Sequence, residues 1–162
     1  MAVTNRDSTL YAKLHVSKYL GDARDRGGRV VPIPFQHTVV SGETGGASAG
    51  VRDTVNLCVL PANCMVVDLE VTAEAVWASA GVNGTFSIGD SGNVARYLGA
   101  TEAYTADPGG PIATEGQKHA GLAFAGQNYK PTADTIVLLE WRVANPSVGK
   151  VIKGCFFIVP GA

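Results

Sequence analysis

The stretch Met65–Trp77, MVVDLEVTAEAVW, decides the fold class. Apolar residues recur at every second position, and Asp68, Glu70, Thr72 and Glu74 fall between them. A period of two held over this length is typical of an antiparallel strand with one dry face and one wet face. A helix would scatter these carboxylates around its circumference. The predicted dry face consists of Met65, Val67, Leu69, Val71, Ala73, Ala75 and Trp77.

Other strand candidates lie on both sides of this stretch. Arg29–Val40 contains Pro32 and Pro34, which lack a backbone donor, so we predict an edge strand there. In Asp53–Leu60 the alternation predicts that Val55, Leu57 and Val59 share one face. Thr135–Ala144 and Val151–Val159 are expected to pair as a closing hairpin.

The segments between these candidates are rich in turn-forming residues. Ser41–Gly50, SGETGGASAG, contains only small and polar residues and is predicted to be a mobile loop. Asp90–Asn93 reads as a tight turn, and Ala95–Gly116 reads as loop. Twenty glycines and eight prolines in 162 residues agree with a turn-rich chain. Seven or eight short strands without a convincing long helix predict an all-β domain, an antiparallel, jelly-roll-like β-sandwich over residues 29–162.

Residues 1–28 differ from the rest, since they carry much of the charge and end in Arg26-Gly27-Gly28. Leu10, Leu14 and Lys18 would align on a helix, whereas Leu14, Val16 and Leu20 would fit a strand. The periodicity therefore leaves both open. We predict an N-terminal arm, extended or as a short helix, with a helical turn packed on its own domain as the alternative.

Bulk composition excludes several classes of protein. The formal net charge is −1 and the pI is about 6.3, without the basic excess of a nucleic-acid binder. No apolar run is long enough to span a bilayer, and no signal peptide begins the chain, so we expect synthesis in a cytosol. Three cysteines without a CxxC pair indicate free thiols rather than a disulfide or zinc framework.

Gly89-Asp90-Ser91-Gly92 matches the start of the nucleophile loop of chymotrypsin-like serine proteases. His37, Asp53 or Asp68, and Ser91 even follow the required order. However, only about four strands fit between Arg29 and Ile88, which is too few for a complete first barrel. His37 also lies within a strand, so we interpret GDSG as a turn.

Cofactor and metal motifs are not apparent in the sequence. His15, His37 and His119 are isolated, and none has a ligand partner at metal spacing on the same element. No GxGxxG or P-loop occurs, and the turns at DSGN and DPGG are too poor in acids for calcium. We therefore predict no catalytic, cofactor or metal site.

The order of segments resembles that of small virion proteins of tailed bacteriophages, of the head decoration or cement type. The resemblance covers most of residues 27–159. It rests on a strand ending in Leu60-Pro61-Ala62, on the long alternating strand after it, and on the unit Ile88-Gly89-Asp90 through Arg96-Tyr97-Leu98.

The resemblance implies a non-enzymatic, jelly-roll-like knob on the outer surface of the capsid, made in the host cytoplasm. Such proteins form homo-oligomers, often trimers and sometimes dimers, that bridge subunits of the major capsid protein. By this analogy the arm would contact the capsid or a sister protomer. Its apolar anchors and basic contacts would be Leu10, Tyr11, Leu14, Tyr19 and Leu20, with Lys13, Lys18, Arg24 and Arg26.

Two alternatives stay open at this stage. The chain would suit another virion β-module, in a tail, neck or fibre tip, that binds a host glycan through Trp77, Trp141 or Tyr104. The other alternative is the GDSG-type serine protease, with Ser91 as its nucleophile.

Overall fold

The computed structural model describes residues 5–7, 30–45, 52–73, 86–99, 118–120, 126, 128–142 and 145–161. These residues form nine β-strands and no α-helix. The strands are β1 Asn5–Asp7, β2 Val31–Thr38, β3 Thr54–Leu60, β4 Met65–Ala73, β5 Phe86–Asp90, β6 Asn93–Leu98, β7 Lys118–Ala120, β8 Thr135–Trp141 and β9 Val151–Val159.

The strands form two sheets, one of five strands in the order β1-β3-β8-β5-β6 and one of four in the order β2-β9-β4-β7. All neighbouring pairs are antiparallel except β1 and β3, which run parallel. The core draws side chains from both sheets, including Leu57, Leu69, Trp141 and Phe156, each fully buried. The all-β sandwich predicted from the sequence is thus confirmed.

Strand β4 confirms the decisive alternation over most of its length. Leu69, Val71 and Ala73 are buried as predicted. A bulge between Val66 and Asp68 shifts the register at the start of the strand, so Val66 enters the core and Val67 is 36% exposed. The predicted inward positions of Met65 and Val67 are therefore wrong, while Ala75 and Trp77 lie outside the described residues.

A second bulge corrects the prediction for β3. The pairing with β8 jumps between Asn56 and Cys58, so the buried positions after the bulge are Cys58 and Leu60. Val59, predicted to be inward, is only partly buried and pairs with the exposed Ile136. One extra residue moves every later side chain to the opposite face, which a strict period of two does not anticipate.

Strand β2 lies at the edge of the four-stranded sheet, as Pro32 and Pro34 predicted. Both prolines are exposed, while Ile33, Phe35 and His37 alternate with them as buried side chains. Proline is accepted here because its nitrogen position faces away from the neighbouring strand.

Two other expectations are wrong. Strands β8 and β9 belong to different sheets, so they do not pair as a closing hairpin. Their connection crosses from sheet to sheet, and Gly149 turns the chain with a φ of 84°. In addition, Ala95–Leu98, predicted as the beginning of a long loop, belongs to strand β6, which pairs with β5 through Asn93 opposite Asp90 and Leu98 opposite Ile88.

Most of residues 1–28 lie outside the described residues, and the division into an arm and a domain stays a prediction. Strand β1 is the part that is described. Its backbone pairs with Thr54–Asn56 of the chain's own β3.

Candidate functional site

The GDSG stretch forms a hairpin between β5 and β6. Ser91 and Gly92 make its turn, and the carboxylate of Asp90 closes it by accepting from the backbone N–H of Gly92 and of Asn93, each at 2.9 Å. Asp90 is 3% exposed. An aspartate that holds the donors of its own turn confirms the sequence interpretation of this motif.

The same carboxylate also receives side-chain donors from β6. Arg96 Nε donates to Asp90 Oδ2 at 2.5 Å and the Tyr97 hydroxyl donates to it at 3.2 Å. The hydrogen bond to Asp90 raises the pKa of Arg96, and burial raises the pKa of Tyr97, with the Asp90 charge adding to it. The Arg96 guanidinium also lies over the Tyr129 ring, 4.0 Å from its centroid.

Gly89 has a steric role in this hairpin. A Cβ on Gly89 would lie 2.1 Å from the carbonyl oxygen of Asn93 and 2.4 Å from the carbonyl carbon of Val94. Real Cβ atoms do not approach backbone so closely, so β6 can lie this close to Gly89 of β5 only because the residue is glycine.

The described residues do not assemble the triad that the sequence order allowed. Ser91 is exposed. His37 is 2% exposed, its Nε2 is bonded to Glu43, and its Nδ1 has no hydrogen-bond partner. Asp53 accepts instead from the backbone N–H of Thr44. The side chain needed as base therefore contacts neither Ser91 nor an aspartate, contrary to what the chemistry requires.

Glu43 is the buried polar residue that the sequence interpretation missed. Its Oε1 lies 2.9 Å from His37 Nε2 and accepts from the Val40 N–H at 2.9 Å. Its Oε2 accepts from the Trp141 indole N–H at 2.8 Å. We call Glu43, His37 and Trp141 the Glu43 cluster. Burial by itself raises the pKa of Glu43, but the hydrogen bonds from His37 and from the Val40 N–H outweigh it, and the net pKa is lowered.

The geometry of the Glu43 cluster fixes the tautomer of His37. Nε2 faces a carboxylate, so it carries the hydrogen and donates it. Nδ1 is buried without a partner, and a second N–H there would be an unsatisfied buried donor. The geometry therefore assigns a donor N–H to Nε2 and leaves Nδ1 buried without a partner.

Residues 41–45 are held in place by the Glu43 cluster and by hydrogen bonds to Asp53 and Asn145. The Thr44 N–H donates to Asp53 at 2.9 Å, and the Gly45 N–H donates to Asn145 Oδ1 at 3.0 Å. This half is turn and irregular backbone, in agreement with the predicted loop, and the buried Glu43 carboxylate and these hydrogen bonds hold it in place. The other half, residues 46–50, lies outside the described residues.

Besides Asp90 and Glu43, a third carboxylate, that of Glu140 on β8, is paired with neighbouring basic side chains. Glu140 Oε1 pairs with Arg52 at 3.1 Å and with Arg142 at 3.0 Å, and Arg142 Nε also donates to Ser87 Oγ at 3.0 Å. The carboxylates of Asp90, Glu43 and Glu140 all accept hydrogen bonds from nearby donors. This arrangement is typical of groups that make turns and strand ends rigid, rather than of groups that transfer protons.

The three cysteines are free thiols. Cys58 and Cys64 are buried, and Cys155 is half-buried. Burial raises the pKa of all three, to about 11 for Cys64. Such protonated thiols act as small apolar groups. Within the described ranges, no three His, Cys, Asp or Glu residues meet at a metal-binding distance.

The nine predicted arm residues, Leu10 to Arg26, lie outside the described residues, as do His15, Trp77 and Tyr104. Trp141 is fully buried, so it is not available to the glycan platform considered above. No helix in the described part of the chain is long and apolar enough to cross a membrane.

Comparison with known proteins places this fold among those of phage capsids. A chain of the Ralstonia phage GP4 capsid superposes with a TM-score of 0.72 at 18% identity, over 98% of this chain and 99% of that one. A chain of the cyanophage Pam1 capsid asymmetric unit gives 0.57 at 19% identity, over 83% and 89%. A chain of the acidic stable capsid of Helicobacter pylori bacteriophage KHP30 gives 0.50 at 15%, over 80% and 89%.

No protein-family model matches the chain, and no curated protein matches it either. The fold is therefore what this chain shares with these capsid chains.

Proposed function

We propose that this chain is a non-enzymatic virion protein that decorates and cements the outer surface of a bacteriophage head. The observation that carries the proposal is the end-to-end match with a chain of the Ralstonia phage GP4 capsid, over 98% of one chain and 99% of the other.

Two buried carboxylates that accept several hydrogen bonds each support the same proposal. The carboxylates of Asp90 and Glu43 are buried, and each accepts from several donors. They make the hairpin and the end of the sandwich rigid, which is what a protein under mechanical load requires. Ser91 has no base beside it among the described residues, so the GDSG motif gives no support to a protease.

In this role the chain bridges neighbouring subunits of the major capsid protein, as a homotrimer or a homodimer. Residues 1–28 act as the arm that reaches the capsid or a sister protomer. DNA pressure pushes capsomers apart, and a protein bound across a junction stabilises the closed shell by mass action. Several arms on one oligomer add avidity to weak single contacts.

The test uses purified particles of the phage that encodes this chain. We expect the chain to be present on intact heads, and we expect particles lacking it to release DNA at a lower temperature. Adding the protein back should restore the release temperature. Its absence from purified heads would refute the proposal, and its presence only on tails or necks would assign it to another virion structure.

The arm is tested by a variant in which Lys13, Lys18, Arg24 and Arg26 are all replaced by Glu, leaving β1 unchanged. Head binding is expected to fall at least tenfold, since basic contacts to acidic capsid groups would become repulsive. Lys130→Glu, at an exposed turn, is the matched charge control. Equal binding by both variants would mean that the arm does not contact the head.

A further inference from the structure

The outer face of the five-stranded sheet, the face turned away from the core, changes character along its strands. On β8 the core residues Val137, Leu139 and Trp141 alternate with residues that face outward. From one end of this face to the other, the pairs on β3 and β8 are Thr54 with Glu140, Asn56 with Leu138, and Val59 with Ile136. The face therefore has a polar end at Thr54 and an apolar end at Ile136.

The apolar end consists of Val59, Leu138 and Ile136. Val59 and Leu138 are half-buried, whereas Ile136 is 41% exposed. At the polar end the carboxylate of Glu140 is already paired with two arginines. Isolated apolar side chains on a surface are ordinary, but three that adjoin on one sheet face suit the packing of another segment. The apolar end is therefore the part of this face that is suited to a contact.

Strand β1 leads the chain toward the apolar end. It runs parallel to β3 and ends with Asp7 opposite Asn56, at the level of Leu138. Val59 stands three residues farther along β3, a distance of about 10 Å at a rise of ~3.3 Å per residue. The chain that follows Asp7 thus starts from a position beside the apolar end.

A bulge in β3 limits how far β1 extends along it. The pairing of β3 with β8 shifts between Asn56 and Cys58, directly after the last position that β1 contacts. A bulge bends its strand and interrupts the regular hydrogen-bonding ladder. Regular pairing with β3 is therefore disfavoured for the residues after Asp7, and packing on the outer face is the alternative open to them.

The sequence after β1 matches the apolar end in distance and in character. Leu10 and Tyr11 follow Asp7 by three and four residues, a span of about 10–13 Å for an extended chain. That span reaches Val59, and Ile136 lies one strand spacing of ~4.8 Å beyond it. A leucine and a tyrosine together are large enough to cover both side chains.

Covalent connection favours this segment over any separate chain. A short tether gives an effective concentration on the order of 1 mM, which is about a thousandfold above that of a separate chain present at ~1 µM. A small apolar contact is therefore populated within one chain before it forms between two.

We propose that residues 8–14 dock on the apolar end of the chain's own outer face, with Leu10 and Tyr11 covering Val59 and Ile136. This contact fixes the base of the arm on the sandwich. The resemblance assigned Leu10 and Tyr11 to the capsid, whereas here they belong to the sandwich, and the residues after this segment are those that reach outward. The inference concerns the free chain and does not depend on where the protein binds in a particle.

A thiol placed at the apolar end tests the contact. Ile136→Cys is made together with Cys155→Ser, which removes the half-buried native thiol, while Cys58 and Cys64 stay buried. The rate of maleimide labelling then reports how well the introduced thiol is covered. A melting temperature for each variant confirms folding.

Two double variants of the arm are compared in this background. Replacing Leu10 and Tyr11 by Ser should speed labelling about tenfold or more, because the side chains that cover the thiol are removed. Replacing Tyr19 and Leu20 by Ser removes the same two residue types farther along the arm and should leave the rate unchanged. Val148→Cys, in the β8–β9 connection, replaces Ile136→Cys as the control thiol, and its labelling should not respond to either double variant.

Equal labelling rates for the two double variants would overturn the proposal. Labelling that slows as the protein concentration rises would make a second copy the occupant, and labelling that slows only on phage heads would make the head the occupant. Either result would also overturn it. The rate is measured on the free chain, so its failure leaves the head-binding proposal untouched, and a chain missing from purified heads would leave this inference untouched.

Discussion

The indole N–H of Trp141 donates to the carboxylate of Glu43 at 2.8 Å, across 98 positions of sequence. Trp141 ends β8 in the five-stranded sheet, whereas Glu43 follows β2 of the four-stranded sheet. His37 on β2 holds the same carboxylate at 2.9 Å. The buried carboxylate of Glu43 thus connects the two sheets of the sandwich at the end where β2 and β8 terminate.

Replacing Glu43 by Gln should destabilise the protein by about 2–3 kcal/mol, since hydrogen bonds to a buried charged group contribute about 1.5–3 kcal/mol. The amide NH₂ of Gln also places a donor against the donors of Val40, His37 or Trp141. Urea unfolding followed by tryptophan fluorescence measures the change. Lys130→Gln, at an exposed position, is the control and should change the free energy of unfolding by less than about 0.5 kcal/mol.

Stability should fall on acidification through Glu43. Its pKa is lowered in the folded chain, so below the ordinary value of 4.5 the unfolded chain binds the proton first. The stabilisation is therefore complete above pH 4.5 and is lost as the pH falls through the folded pKa. Urea midpoints from pH 7 to pH 3 should converge between the wild type and Glu43→Gln. A constant difference across this range would contradict the role of Glu43.

The alternation in Met65–Ala73 was enough to predict a half-buried strand, and two prolines were enough to place β2 at an edge. These signals are local: each depends on the period of a strand or on a missing donor. The bulges at Val67 and Leu57 were not predictable, because an extra residue in a strand is set by pairing with a neighbour distant in sequence. The partition of β8 and β9 into different sheets is likewise a tertiary property.

The candidate sites likewise divide into features that local sequence predicts and features that only the tertiary fold determines. Asp90 followed by Ser91-Gly92-Asn93 has the residue types of a self-closed turn, and the structure confirms that interpretation. The sequence around Glu43 gave almost no indication that this residue is buried, since it stands alone in a run of small residues. Its three partners come from β2, from the backbone of Val40 and from β8, so only the fold brings them together.

Asp90 should matter far more to stability than Ser91. Asp90→Asn removes the charge that holds Arg96 and weakens the acceptor of the turn, and we expect a loss of about 2–4 kcal/mol. Ser91→Ala, at an exposed position, should cost a few tenths to about one kcal/mol. Chemical unfolding of both variants measures the difference.

The same Ser91→Ala variant separates this turn from a nucleophile. A fluorophosphonate probe should label the wild type and Ser91→Ala to the same small extent, because no base lies beside Ser91 among the described residues. Labelling that disappears specifically with Ser91→Ala would show a reactive serine and would revive the protease alternative.

Gly89→Ala should be among the most damaging single substitutions in the chain. Its Cβ would lie 2.1 Å from the Asn93 carbonyl oxygen, a backbone atom held in the β5–β6 hairpin. Relieving this clash requires the two strands to separate, which would also pull Asp90 away from Arg96. We expect a loss of about 3 kcal/mol or more, or no soluble protein, since overpacked cores lose about 1–3 kcal/mol even where side chains can adjust.

Gly149→Ala is the control for that substitution, because it isolates the backbone effect of glycine from the steric one. Gly149 has a φ of 84° and nothing within 4 Å of the position of its Cβ, so only conformational strain is introduced, about 1 kcal/mol. Thermal unfolding of the two variants should therefore give a much larger loss for Gly89→Ala. Equal losses would mean that β6 does not pack against β5 as closely as the structure shows.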